Sequence, residues 1–221
     1  RDLQEIIHLN DDSVKTIEEV LENHHPTKII LSSVIKHRDG LEAQLGAAAK
    51  FHMLGHASKL PITTPVGKPE TIGADRLALC SAAVDLFEGQ HNLAIGLGTC
   101  ITYNFINKYH EFLGGSISPG MNMRFRAMHE QTALLPLIEA QNQFPLVGYD
   151  TKTNLLSGVI LGMAKEIDGI IEAYAQKYSN FNVLLTGGDM PFFVPHLKNR
   201  IFADPNLIFK GLYAISEFNN G

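Results

Sequence analysis

The stretch TIGADRLALC (71–80) sets a carboxylate and a guanidinium side by side, Asp75 and Arg76, two and three residues after Gly73. An acid there could accept a proton from a substrate hydroxyl, and Arg76 could hold a carboxylate or steady a nucleophile through paired N–H donors. The plainer reading is a helix-start acid, stabilised by the positive end of the helix. A second kind of chemistry lies in three glycine-bearing stretches, GLGT (96–99), GGSISPG (114–120) and TGGD (186–189), each following an apolar strand or opening a helix. Glycine lets backbone N–H groups approach an anion, and threonine adds a hydroxyl donor. Any one of these more often only makes a turn. Two strand-to-Gly/Thr turns together with an acid at a helix start form a more specific set. It suits the binding of a phosphate-bearing ligand.

Other sites fall away. GLGTCI has Ile101 where a dinucleotide fingerprint needs its last glycine, and a strand follows instead of a helix. Gly67 and Lys68 are followed by Pro69, which offers no hydroxyl for a Walker-type loop. His52 and His56 stand four apart on a possible helix and could share a metal, but no third ligand is in view and ordinary histidines are the stronger reading. His24 and His25 at a helix end read as a favourable dipole contact. With 19% charged residues, a net charge of −5 and no basic run interleaved with aromatics, nucleic acid is not an expected partner. Neither is a membrane, since no apolar run reaches about 18–20 residues. The two cysteines, Cys80 and Cys100, sit in apolar segments and read as reduced core thiols of a soluble cytoplasmic protein.

The elements that must position these groups follow from periodicity. Ser13 caps a helix whose apolar face is Val14, Ile17, Val20 and Leu21, and TKIILSSVI (27–35) reads as a buried strand. LEAQLGAAAKFHML (41–54) reads as a helix. The Pro/Gly-rich connection after it marks a boundary between residues 1–68 and 69–221. Residues 73–88 have helical spacing. NLAIGLGTCITYNFINK and EFLGGSISPG read as strands joined by tight turns, and MNMRFRAMHEQTALLP as a helix stopping near Pro136. The clearest helix begins at TNLLSG and turns Leu156, Val159, Ile160, Met163, Ile167, Ile170, Ile171 and Tyr174 to one face; NVLLTGGDM is a strand entering a glycine turn. The order predicts an α/β protein with mixed sheets.

The series TIGADR, LGTCITYNF, FLGGSISPGM, DTKTNLLSG, LLTGGD and IFKGLYAI, in this order over nearly the whole chain, resembles the type III pantothenate kinases of the actin-like, acetate and sugar kinase superfamily. The resemblance implies two ribonuclease H-like domains, 1–68 and 69–221, with nucleotide bound between them, and a homodimer with its active site near the subunit interface. It implies transfer of the ATP γ-phosphoryl group to the terminal hydroxyl of pantothenate, the first step of coenzyme A synthesis, with Mg2+ and a monovalent cation, K+ or NH4+. On the family's motifs, Gly73, Ala74, Asp75 and Arg76 bind pantothenate and Asp75 is the general base. Gly98 and Thr99 contact phosphate, Thr186, Gly187 and Gly188 contact adenosine, and Thr151 reaches the pantothenate of the partner subunit.

Three departures accompany the resemblance. The family's opening strand and D-x-G-N-[TS] turn are not in this sequence; the first domain is therefore without its N-terminal strands here, and the turn is expected ahead of Arg1. The family's cation-binding aspartate corresponds to Gly96, which puts potassium in question, leaves Mg2+ as the safer ion and leaves the metal ligands unassigned. A tyrosine facing pantothenate corresponds to Val66. Two other readings stay open at this stage: a non-catalytic relative that binds ligand or a regulatory partner, and a kinase of this fold for another small hydroxy compound.

Overall fold

Ser13 opens α1 (Val14–His24) by accepting the Thr16 N–H, and the helix ends where His25 turns left-handed, φ 42. His24 occupies its last turn. A computed structural model describes residues 3–33, 35–55, 57–65 and 67–220, with only the backbone at Pro69 and Asn220; Val34, His56 and Val66 lie outside the described residues. β1 (Lys28–Leu31) pairs in parallel with β2 (Lys50–Met53), and α2 (Leu41–Ala48) forms the crossover between them. The single helix expected over 41–54 is thus divided. Ala49 is extended (φ −158, ψ 178), and the four residues after it match β1 in register, so strand pairing overrides a helical composition. His52 lies in β2 rather than on a helix, hydrogen-bonded to Ser58 Oγ at 2.7 Å. No group of three metal-ligating side chains occurs among the described residues.

The remaining chain builds a second, five-stranded sheet. After α3 (Ala74–Leu86) come β3 (His91–Leu97), β4 (Cys100–Ile106) and β5 (Phe112–Pro119), an antiparallel meander. Then follow α4 (Met121–Glu130), α5 (Thr151–Lys177), β6 (Phe181–Thr186), the short α6 (Met190–Phe193), β7 (Phe202–Ala203) and α7 (Leu207–Asn220). The strand order is β5-β4-β3-β6-β7, with β6 parallel to β3 and β7 parallel to β6, so the sheet is mixed as expected. GGSISPG is mostly strand: its glycines 114 and 115 lie within β5, and Gly120 starts α4. That helix ends at Glu130 rather than near Pro136. The Thr132 hydroxyl donates to the Met128 carbonyl at 2.7 Å, occupying the acceptor that the Thr132 N–H would use if the helix continued.

Strand alternation divides the core between the two faces of this sheet. Leu93, Ile95, Leu97, Ile101, Tyr103 and Phe105 pack against α4 and α5; Ala94, Ile106, Phe112 and Leu184 pack against α3. Leu156, Val159, Ile160, Met163, Ile167 and Ile171 of the expected α5 face are all buried, with Ile170 and Tyr174 packed at its edge. Helix α7 lies on α3 so closely that a Cβ on Gly211 would stand 2.6 Å from the Ala78 carbonyl carbon. It also meets the small sheet: Lys28 pairs with Glu217 at 2.6 Å, and Asn219 bonds the Lys59 backbone at 2.8 and 2.9 Å. Both cysteines are free. Cys80 is fully buried, which pushes its thiol up, but Cys100 is only half-buried, unlike the core position expected for it.

One buried charge interrupts the α5 face. Asp168, 4% exposed, accepts from the N–H groups of Lys198 (3.1 Å) and Asn199 (3.2 Å) and from the Asn199 amide (2.8 Å). Burial works against its charge, but these donors, with Lys165 nearby, outweigh it and hold the carboxyl below the usual aspartate range. A depressed carboxyl contributes stability that is present above the unfolded-state value, about 4, and lost as pH falls through the folded one. Asp168→Asn is therefore expected to destabilise the protein by about 1–3 kcal/mol at pH 7. The gap to the native protein should narrow below about pH 4, read from urea midpoints across pH.

Candidate active site

The carboxyl ends of β3 and β6 lie side by side, because the two strands pair in parallel with Gly96 opposite Thr186. Parallel neighbours are about 4.8 Å apart, so the turns that leave them, Gly98-Thr99 and Gly187-Gly188, must also be adjacent. Ligands of α/β sheets collect at such strand ends. A cleft of about 560 Å³ opens there, lined by Asp75 and Leu79 of α3, residues 96–100 and Thr102 of the β3–β4 hairpin, residues 186–188, and Pro205 and Ile208.

Asp75 reaches this cleft from the first turn of α3. Its N-cap, Gly73, offers no side-chain cap, and a Cβ on Gly73 would stand 2.5 Å from Asp75 Oδ1. The glycine two residues ahead therefore leaves room for the carboxylate to fold back over the helix start. At the other wall, Gly187 has φ +108, and a Cβ there would stand 2.6 Å from the Leu97 carbonyl carbon. The two turns are stitched by Asp189 N–H donating to Leu97 O at 3.3 Å. Gly98 N–H is taken by Cys100 O (3.1 Å) and Thr99 O by Gly120 N–H (3.1 Å). Among the described residues the N–H groups of Thr99 and Gly188 meet no acceptor and the Thr99 hydroxyl no partner; both residues are exposed and line the cleft. The arrangement is an anion-accepting rim of unpaired donors with one carboxylate opposite.

A model of the family described as type III pantothenate kinase matches residues 4–173. The chain belongs to the type III pantothenate kinase family. Among proteins carrying that name, one from Cytophaga hutchinsonii is 42% identical over 88% of this chain and 82% of its own length. One from Bacteroides fragilis is 39% identical over 98% of this chain and 90% of its own. The crystal structure of a Baf family protein from Campylobacter jejuni, 23% identical over 92% of this chain and 88% of that one, shares the fold with TM-score 0.60. Among the described residues no helix is long and apolar enough to cross a membrane.

Of the residues that the pantothenate kinase motifs single out, the cleft unites Asp75, Gly96, Gly98, Thr99, Thr186, Gly187 and Gly188. Gly73 and Ala74 stand just behind Asp75 at the helix start and do not line it. Arg76 does not line it either. Its Nε donates to Asn104 Oδ1 at 2.6 Å and its guanidinium lies over the Phe112 ring, 5.4 Å from the centroid. Thr151 lies outside the cleft, exposed at the first position of α5; the cap of that helix is Asp150, in a capping box with Thr153. Asp189 caps α6 without a side-chain bond, and burial raises its carboxyl. Sequence reading missed Thr102, whose Oγ1 stands 2.9 Å from where a Cβ on Gly96 would be, and Asn104, which donates to Thr102 Oγ1 (3.3 Å) and Ala94 O (3.0 Å) while accepting from Arg76. Alternation along β4 could have found both, since Thr102 and Asn104 share the α3 face with Gly96.

Proposed function

We propose that this chain transfers the γ-phosphoryl group of ATP to the terminal hydroxyl of pantothenate, giving 4'-phosphopantothenate, the first step of coenzyme A synthesis. One observation carries the reading: Asp75 shares a single cleft with the donor-rich Gly98-Thr99 and Thr186-Gly187-Gly188 turns. The Thr99 N–H and hydroxyl hold phosphate oxygens, and the side-chain-free Gly187 and Gly188 let the adenosine lie against β6. Asp75 accepts the proton of the pantothenate hydroxyl as its oxygen bonds to phosphorus and the bond to ADP breaks. Arg76, pinned by Asn104 and Phe112, orients the approach of pantothenate past Gly73 and Ala74.

Magnesium fits this cleft as an ion carried largely by the nucleotide, since Asp75 and the Thr99 hydroxyl are oxygen donors and Mg2+ commonly rests on substrate phosphates, waters and one or two carboxylates. When bound it supplies charge neutralisation at the transferred phosphoryl group. A monovalent cation finds no side-chain oxygen at position 96, where Thr102 fills the space beside the glycine, and no step is assigned to one.

Several finer features belong to the same proposal. The strand order β5-β4-β3-β6-β7 supports a ribonuclease H-like domain over 69–221, with 1–68 belonging to a first domain of the same kind. A homodimer in which Thr151 meets the partner's pantothenate is supported by the segment before α5, where Val147 (80%) and Tyr149 (81%) are exposed apolar side chains a few residues from that threonine. A cytoplasmic location accords with the pathway. The non-catalytic reading is less well supported, because a binding module needs no base opposite its anion rim. The test is ADP release by the intact protein. Release should require ATP and pantothenate together, whereas equal release with an unrelated small hydroxy compound would favour a different substrate.

A further inference from the structure

The third glycine stretch, GGSISPG, has no part in the cleft: none of its residues lines it. Its last residue instead lies against the back of the Gly98-Thr99 turn. A Cβ on Gly120 would stand 2.6 Å from Thr99 O and 2.9 Å from Thr99 C, and closer still to Gly98 O, while the Gly120 N–H donates to Thr99 O at 3.1 Å. The Gly98 carbonyl and the Thr99 N–H belong to one planar trans peptide and point in opposite directions. With the carbonyl side turned toward Gly120, the N–H is directed away from it.

Gly120 is itself held. It begins α4, and one turn on, Arg124 reaches back: its Nε donates to Pro119 O at 2.9 Å and its guanidinium to Ser118 Oγ at 2.9 Å. The same guanidinium pairs with Glu166 of α5, whose other oxygen accepts from the buried Tyr103 hydroxyl at 3.2 Å. Burial opposes the Glu166 charge, but Ser118, Arg124 and Tyr103 outweigh it and hold the carboxyl below its ordinary value, so the pair is ionised at neutral pH. A continuous set of contacts thus runs from α5 through Glu166, Arg124 and Pro119 to Gly120, and ends on the peptide that presents the Thr99 donor.

We infer that Gly120 and Arg124 are positioning residues for phosphoryl transfer, fixing the Gly98–Thr99 peptide so that its N–H faces the nucleotide. The inference rests on Thr99 contacting the ATP phosphates, as proposed above. A side chain at position 120 must push the turn toward the cleft, because Gly98 O, Thr99 O and Thr99 C are backbone atoms that cannot rotate away. Loss of the Arg124 guanidinium frees Pro119 and lets the helix start relax from the turn.

The test compares the intact native protein with Gly120→Ala, Arg124→Ala and Arg124→Lys, measuring Michaelis constants for ATP and for pantothenate, ATP affinity by calorimetry, and thermal midpoints. Gly120→Ala should raise the ATP constant about tenfold or more and weaken ATP binding in parallel, with the pantothenate constant within about twofold of native. Arg124→Ala should move the same two quantities by about threefold to tenfold, and Arg124→Lys, which keeps the charge but not the fork of donors, should recover part of the loss. A purely structural role would reduce the fraction of active protein, lowering kcat and leaving both constants alone; that result overturns the inference. So does native ATP affinity in a folded Arg124→Ala, which decides the matter if Gly120→Ala does not fold. If the native protein neither binds nor turns over ATP, the functional reading itself fails, and this inference with it.

Discussion

Replacing Asp75 with asparagine is expected to lower kcat by about 10²- to 10⁴-fold while ATP affinity stays within about twofold of native, the range a positioned general base contributes. The substitution keeps the size of the side chain, so the space that Gly73 leaves for it remains filled in the same way. The proposed nucleotide rim on the Thr99 and Gly188 turns lines the cleft separately from Asp75 and should bind as before. The helix-start reading makes a different forecast. If Asp75 only stabilises α3, the variant should lose about 0.3–1 kcal/mol of stability and keep its turnover. Steady-state kinetics beside a urea titration separate the two, and unchanged kcat in Asp75→Asn rules out the base.

The second large effect should come from Gly187→Ala. Its φ of +108 is a conformation that side chains rarely adopt, and its Cβ would meet Leu97 C at 2.6 Å and Leu97 N at 2.7 Å. Both atoms are backbone of β3, so the contact cannot be relieved by a rotamer change. Strain and overpacking together should destabilise the protein by about 2–5 kcal/mol. Relaxing that strain moves the strand end carrying Gly98 and Thr99, and ATP affinity should fall more than about tenfold. Gly188→Ala is the control: nothing lies within 4 Å of its Cβ position and its backbone is unstrained. Its stability should stay near native while any loss appears in ATP binding alone. Equal destabilisation of the two variants, read from denaturant midpoints, would contradict this account of Gly187.

These two positions also mark how far the sequence could be read. Asp75 was legible because a glycine followed by helical spacing announces a helix start, and α5 because apolar residues recur at helical spacing from Leu156 to Tyr174. The family motifs then indicated which glycine turns belong with that acid. What the sequence did not reveal depends on contacts between distant segments. β2 shares its apolar composition with a helix, and only its register with β1 makes it a strand. The Asn104 and Phe112 contacts of Arg76 were not legible either, since adjacent helical residues point in different directions and these partners lie 28 and 36 residues away. Asp150, which caps α5 in a capping box with Thr153, was not singled out at all, because attention fell on Thr151 next to it. Gly120 read as the end of a turn, because no local signal records the backbone of the Gly98-Thr99 turn lying against it.

The central claim is that Asp75 and the two donor-bearing turns form one phosphoryl-transfer site for pantothenate. Its most direct test is mass-spectrometric detection of product after incubating the intact protein with ATP, Mg2+ and pantothenate. The account predicts one 4'-phosphopantothenate for each ADP released, with product formation falling by about 10²-fold or more in Asp75→Asn. ADP released without phosphopantothenate, or full product yield from the Asp75→Asn protein at the native rate, would contradict it.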